Sequence, residues 1–144
     1  MTTNENSSTV MNWLSLTQMQ MTIDNELETF LQERHQLSLK EFYVLFFLFE
    51  APDKKLRLVQ LQNMVGLSQS AMSRLISRFE AKGCGALQRY VCDDDRRGVY
   101  TSLTQAGEEK LQKALVTFKQ VLTAAVSEKE VQDSLEDFLL EIKK

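Results

Sequence analysis

The sequence predicts a mainly α-helical fold with a small antiparallel β-hairpin, an α+β winged helix-turn-helix. Two adjoining stretches carry that prediction. The first runs from Leu58 to Gly83, where LVQLQNMVG and LSQSAMSRLISRFEAKG read as a short helix, a glycine turn and a longer helix. The second is ALQRYVC and VYTSLT, two β-prone segments on either side of DDDRRG, which make a hairpin with a charged tip.

Each element has a local reason. Leu58, Leu61, Met64 and Val65 give the short helix its apolar side, and Gly66 can adopt the left-handed conformation that ends it. Ser68 is the expected N-cap of the longer helix. On that helix Met72, Leu75, Ile76 and Phe79 share one side, while Ser70, Ser73, Arg74, Ser77 and Arg78 share the other. The outward side carries two arginines and three serines without a carboxylate, whereas a merely solvated face mixes both signs of charge. Small hydroxyls permit close approach and arginines supply forked donors, so the face suits a groove lined with phosphates.

Before this unit the polar residues 1–8 are expected to fray, and a first helix is expected from Thr9 to Arg34 with an interrupted apolar stripe from Val10 to Leu31. At 1.5 Å per residue that helix would be about 39 Å long, more than one small core covers, so part of its stripe should meet a second chain. His35 falls at the helix end, where a basic side chain suits the free carbonyls. Ser38 with Glu41 forms a capping box opening a second helix, FYVLFFLFEA, apolar nearly all round and stopped by Pro52. Lys55 to Leu58 alternate like a short strand able to join the hairpin.

After the hairpin, Thr104 can cap a helix whose Leu111, Leu115, Phe118, Leu122 and Ala125 form a seam for a partner helix. Ser127 with Glu130 reads as a further capping box, followed by the stripe Val131, Leu135, Phe138 and Ile142. The chain therefore divides into an N-terminal dimerisation helix at 1–35, a winged helix-turn-helix at 36–104 and C-terminal dimerisation helices at 105–144.

Composition narrows the function. The chain has 144 residues, 43% hydrophobic and 26% charged, the profile of one ordinary globular domain. Its longest apolar run, Phe42 to Phe49, is far short of the ~20 residues of a membrane span, and the polar N-terminus has no secretory character, so a cytoplasmic location is expected. Net charge is −3, but residues 36–104 carry ten basic against seven acidic groups, while the flanks carry one against five and six against eight. The positive excess lies on the winged unit. Cys84 and Cys92 with the lone His35 make neither a metal site nor a disulfide framework. No nucleophile–base pair and no glycine-rich phosphate loop is visible, so no catalytic residue, metal or cofactor is expected.

The segments SQSAMSRLISRFEAKG and DDDRRGVYTSLTQAG, with Asp95, Arg96 and Arg97 followed at fixed spacing by Leu103, Thr104 and Gly107, resemble the MarR-type transcriptional regulators, dimeric bacterial winged-helix proteins. The resemblance implies that Ser68 to Arg78 form a recognition helix and that Arg96 and Arg97 sit at the wing tip. One of the two would enter the minor groove, oriented by Asp95, where a narrow groove concentrates negative potential. It further implies a homodimer that binds double-stranded DNA at a pseudo-palindromic operator, more often as a repressor, with a small aromatic effector between the dimerisation and reading parts. On that reading Ser68, Gln69, Ser70, Ser73, Arg74, Ser77 and Arg78 face the bases, and Lys54, Lys55, Arg57 and Arg89 face the DNA backbone.

The alternative from another class is a dimeric interaction module or antirepressor that has lost DNA binding. One feature departs from the family. Cys84-Gly85 lengthens the link between recognition helix and wing, and no cysteine precedes residue 84, which argues against the peroxide-sensing branch with its reactive cysteine in the first helix.

Overall fold

The computed structural model describes residues 2–80, 85–91 and 98–143. In chain order these form α1 (Thr2–His35), α2 (Leu39–Glu50), a 3₁₀ turn (Pro52–Lys54), β1 (Lys55–Arg57), α3 (Leu58–Val65), α4 (Gln69–Glu80), β2 (Leu87–Val91), β3 (Val99–Leu103), α5 (Gln105–Val126) and α6 (Lys129–Lys143). The strands form one antiparallel sheet in the order β1-β3-β2, with Leu56 opposite Thr101 and Arg89 opposite Thr101 on the other side. The mainly helical fold with a small hairpin is therefore as the sequence predicts.

The core is one cluster beneath the helix-turn-helix. Phe42, Leu45 and Leu48 of α2 meet Leu61 of α3, Met72, Ile76 and Phe79 of α4, and Leu111 of α5, all fully or nearly fully buried. Phe42 stacks on Phe118 at 4.6 Å between ring centroids, which joins α2 to α5. Burying an aromatic or branched side chain of this kind contributes roughly 1.5–3 kcal/mol, so this cluster sets the position of α4. The seam Leu111–Ala125 thus finds its partner helices, α1 and α2, within the same chain.

Local signals explain the helix boundaries. The Ser38–Glu41 capping box forms, Glu41 N donating to Ser38 Oγ at 3.0 Å and Ser38 N to Glu41 Oε1 at 2.6 Å. Gly66 ends α3 at φ 79°. Thr104 caps α5, accepting from Gly107 N at 3.1 Å. The end of α1 has no glycine; Gln36 takes the left-handed position at φ 56°, and Leu37 N donates back to the Leu31 carbonyl at 3.3 Å.

Three expectations are corrected. The first helix begins at Thr2 rather than Thr9, because TTNENSS holds neither glycine nor proline and a helix already nucleated propagates through such residues. The Ser127–Glu130 box does not form: Ser127 is in the right-handed helical region at φ −82°, ψ −11°, and its hydroxyl donates to the Thr123 carbonyl at 2.7 Å. A capping serine must be extended, and here it ends α5 instead. Finally, His35 ends α1 as expected, but its imidazole does not serve the free carbonyls there. Lys110 Nζ donates to the His35 carbonyl at 2.8 Å, while the imidazole Nε2 meets Thr117 Oγ1 of α5 at 2.7 Å.

Candidate nucleic-acid interface

The helix α4 is seated by contacts from both sides of the turn that precedes it. Ser68 Oγ accepts from Ala71 N at 3.2 Å, satisfying one free amide at the start of α4. Lys40 of α2 donates to the Val65 carbonyl at 3.0 Å, placing a cation at the C-terminal end of α3. With Met72, Leu75, Ile76 and Phe79 buried, Gln69, Ser70, Arg74, Ser77 and Arg78 are exposed and Ser73 is half-buried. The structure thus brings the expected recognition residues onto one outward face.

Their chemistry is not uniform. Among the described residues Arg74 has no ion-pair partner, whereas Arg78 donates Nη1 to Glu41 Oε2 at 2.9 Å and points Nη2 at the Gln36 carbonyl at 3.4 Å. The basic residues expected at the DNA backbone also have intrachain partners. Lys54 pairs with Glu108 and lies 5.4 Å from the Phe49 ring centroid. Arg57 Nε donates to Tyr100 Oη at 3.1 Å and its guanidinium lies over that ring. Arg89 pairs with Glu80 at 3.1 Å. Half-exposed pairs of this kind are only modestly stabilising, so they orient the cations without fixing them in place. Lys55 is exposed on β1. Asp95, Arg96 and Arg97, together with Lys82, Gly83, Cys84 and Cys92, lie outside the described residues.

The added link residue Gly85 is accommodated by a left-handed turn, φ 57°, after which Ala86 is fully buried and its N–H donates to the Phe79 carbonyl at 3.2 Å. The Ala86 carbonyl accepts from Thr104 N at 3.0 Å, and Thr104 Oγ1 donates to the Gly85 carbonyl at 2.5 Å. The last turn of α4, the base of the wing and the first turn of α5 are thereby joined. Gly107 is the fixed point of this joint, since a Cβ there would lie 2.3 Å from the Ala86 oxygen and 2.6 Å from Leu103 Cδ1.

Behind the interface a cleft of about 450 Å³ lies between α1, α2, α5 and α6. Its wall is apolar and aromatic, including Trp13, Ile23, Tyr43, Phe118 and Leu122, and Asp24 is the one charged residue among those described that line it. Burial, then the nearby Asp24 carboxylate, pushes the Tyr43 hydroxyl up from its ordinary pKa. His35 is shifted down, by burial first and then by Lys110, Arg34 and Lys113, so its imidazole stays neutral beside Thr117. Among the described residues no group of three or more His, Cys, Asp or Glu is placed to hold a metal, and no helix is long and apolar enough to cross a membrane.

Sequence reasoning found the outward polar face of α4 but missed the residues that hold it. Glu41 was legible as a capping residue and gave no sign of its second role toward Arg78. Lys40, Lys110 and Tyr100 act on groups distant in sequence, and no local pattern marks them.

A helix-turn-helix resting on a helical core, with a three-stranded sheet extending into a hairpin, defines the class of winged helix-turn-helix proteins. The sequence profile of the MarR family matches residues 37–99, the span of the winged unit. Solved structures agree. Sco3205 from Streptomyces coelicolor, a MarR family transcriptional regulator in complex with DNA, superposes with a TM-score of 0.74 at 25% identity over 91% of this chain and 82% of its own. The transcriptional regulator BldR from Sulfolobus solfataricus gives 0.73 at 25% identity over 99% and 97%. A cysteine-substituted MarR from E. coli complexed with operator DNA shares the fold, with a TM-score of 0.68 at 19% identity over 88% and 89%. No curated protein sequence matches the chain.

Proposed function

We propose that the protein is a homodimeric, sequence-specific DNA-binding transcriptional regulator of the cytoplasm, acting as a repressor. The observation that carries this reading is the outward face of α4, where Arg74, free of any ion pair among the described residues, stands among exposed hydroxyls with no carboxylate on that face. Ser68, Gln69, Ser70, Ser73, Arg74 and Ser77 then meet base edges in the major groove, while Lys54, Lys55, Arg57 and Arg89 meet phosphates. One of Arg96 and Arg97 reaches the minor groove, with Asp95 orienting it.

Dimerisation is supported by the apolar surface left at the chain's two ends. Val10, Trp13, Met21, Leu139, Leu140 and Ile142 are all more than half exposed, a concentration that a lone soluble protomer rarely presents. To read one operator, the paired ends must hold two α4 helices about 34–36 Å apart, one duplex turn. A small aromatic effector suits the cleft between α1, α2, α5 and α6. Asp24, the one charged lining residue among those described, favours a neutral or cationic aromatic over an aromatic acid. Such a ligand changes DNA affinity only by its unequal affinity for the two helix spacings.

The experiment is a fluorescence anisotropy titration with random duplex at low and high salt. Binding that falls steeply as salt rises is expected; indifference to duplex DNA at low salt overturns the reading.

A further inference from the structure

Arg78 lies on the reading face beside Arg74, yet its surroundings give it different work. It sits in the last turn of α4, about 6 Å further along the axis than Arg74, and recognition helices present their N-terminal residues to base edges. Its guanidinium is held by Glu41 at 2.9 Å and directed at the Gln36 carbonyl at 3.4 Å.

Glu41 is only 4% exposed although charged. Its two oxygens have separate tasks, Oε1 accepting from Ser38 N at 2.6 Å and Oε2 accepting from Arg78. Without Arg78 the carboxylate keeps its capping bond but stands as a buried charge with no counter-ion, an arrangement that strongly disfavours the native geometry. The pair is therefore asymmetric: one partner is half in solvent and the other cannot leave.

The segment that receives Arg78 is also the place where the long terminal helix meets the winged unit. Gln36 is in the left-handed conformation at the end of α1, Leu39 N donates to Glu28 of α1, and Lys110 and Thr117 of α5 hold His35. One elbow thus contacts α1, α2 and α5, and Arg78 attaches the rear of α4 to it.

We propose that Arg78 is a positioning residue that fixes the orientation of the recognition helix relative to the α1–α2 elbow through Glu41, and that it makes no contact with DNA. The proposal rests on the regulator reading above. Arg74 is then the arginine that reads bases, and Arg78 sets the angle at which it does so.

The test uses the full-length protein, the duplex it enriches from a random-sequence pool, and an unrelated random duplex. Arg78→Ala, measured where circular dichroism shows it folded, should bind the enriched duplex about tenfold more weakly. The salt dependence of its binding and its affinity for random duplex should match the parent's, because no phosphate contact is lost. Glu41→Gln keeps an oxygen for the capping bond and leaves the arginine available to DNA. It should reproduce the loss, and the double variant should be no worse than either single one. A salt slope reduced by about one in Arg78→Ala marks a phosphate contact and overturns the proposal. So does parental affinity in folded Arg78→Ala, which would make the pair purely structural, or parental or tighter binding in Glu41→Gln. If Arg78→Ala does not fold, Glu41→Gln alone decides between the same outcomes. A parent protein that enriches no duplex removes the regulator reading itself, and this proposal with it, a result distinct from any of these.

Discussion

The helices α4 and α1 solve opposite problems. In twelve residues α4 buries Met72, Leu75, Ile76 and Phe79 and leaves the other side polar, so its apolar demand is met inside the chain. In thirty-four residues α1 buries only Leu27 and Leu31 among its apolar side chains, and Trp13 remains 57% exposed even though its ring meets Phe138 of α6 at 5.8 Å. On the proposed reading α4 offers charge to a partner of opposite charge, and α1 offers hydrophobic area to a surface like itself. A regulator that must grip DNA reversibly and its own copy firmly needs both kinds of surface, kept apart.

The largest effect should come from spoiling the apolar end. Leu140 is 61% exposed in the protomer, so Leu140→Glu leaves the fold untouched. In a symmetric dimer the substitution occurs twice, and burying two unpaired carboxylates should cost at least about 4 kcal/mol, roughly a thousandfold in dimer affinity. Sedimentation velocity checks this: a folded protomer is expected, and an unaltered dimer would place the interface elsewhere.

Next in size is the joint between the two regions. Gly107→Ala drives a methyl into the Ala86 carbonyl, which cannot move without breaking its bond to Thr104 N. A loss of about 1–3 kcal/mol in unfolding free energy is expected from denaturant titration, whatever the DNA does.

The outward face of α4 should be separable from stability. Arg74→Ala should weaken binding to the enriched duplex by ~1–3 kcal/mol and relax sequence preference while leaving the melting temperature within a degree or two. If it binds enriched and random duplex as the parent does, α4 is not the reading helix.

The smallest effect concerns His35. Its folded-state pKa lies below the ordinary 6.5, so the folded protein binds fewer protons there than the unfolded chain does. The stability linked to this site is complete above pH 6.5 and is lost as pH falls from 6.5 through the lowered value. His35→Gln keeps a donor for Thr117 and should flatten that part of the pH–stability curve; a curve with unchanged slope would assign the titration to another group.

The sequence made the elements legible wherever cause and effect lie within one or two turns. The alternation of core and polar residues in α4, the Ser38–Glu41 box, the left-handed Gly66 and the β-prone strands around DDDRRG all act locally. Legibility ended where a side chain answers to a distant group. Arg78 looked equivalent to Arg74 because the two share a face, and only the fold brings Glu41 to one of them. Ser127 and Glu130 satisfy the capping spacing, yet the tight turn between α5 and α6 puts the serine in a helical conformation that cannot cap. His35 stands where a basic side chain suits the last carbonyls, yet its own carbonyl accepts from Lys110 of α5. Motif spacing states what a residue is able to do; the packing selects which of those things it does.

The central claim is that paired terminal helices present two copies of α4 to one duplex. Sedimentation equilibrium of the protein with its enriched duplex measures this most directly. Two chains on one duplex are expected, with the enriched sequence containing inverted half-sites about one helical turn apart. A single chain per duplex, or an enriched sequence without twofold symmetry, would contradict the account.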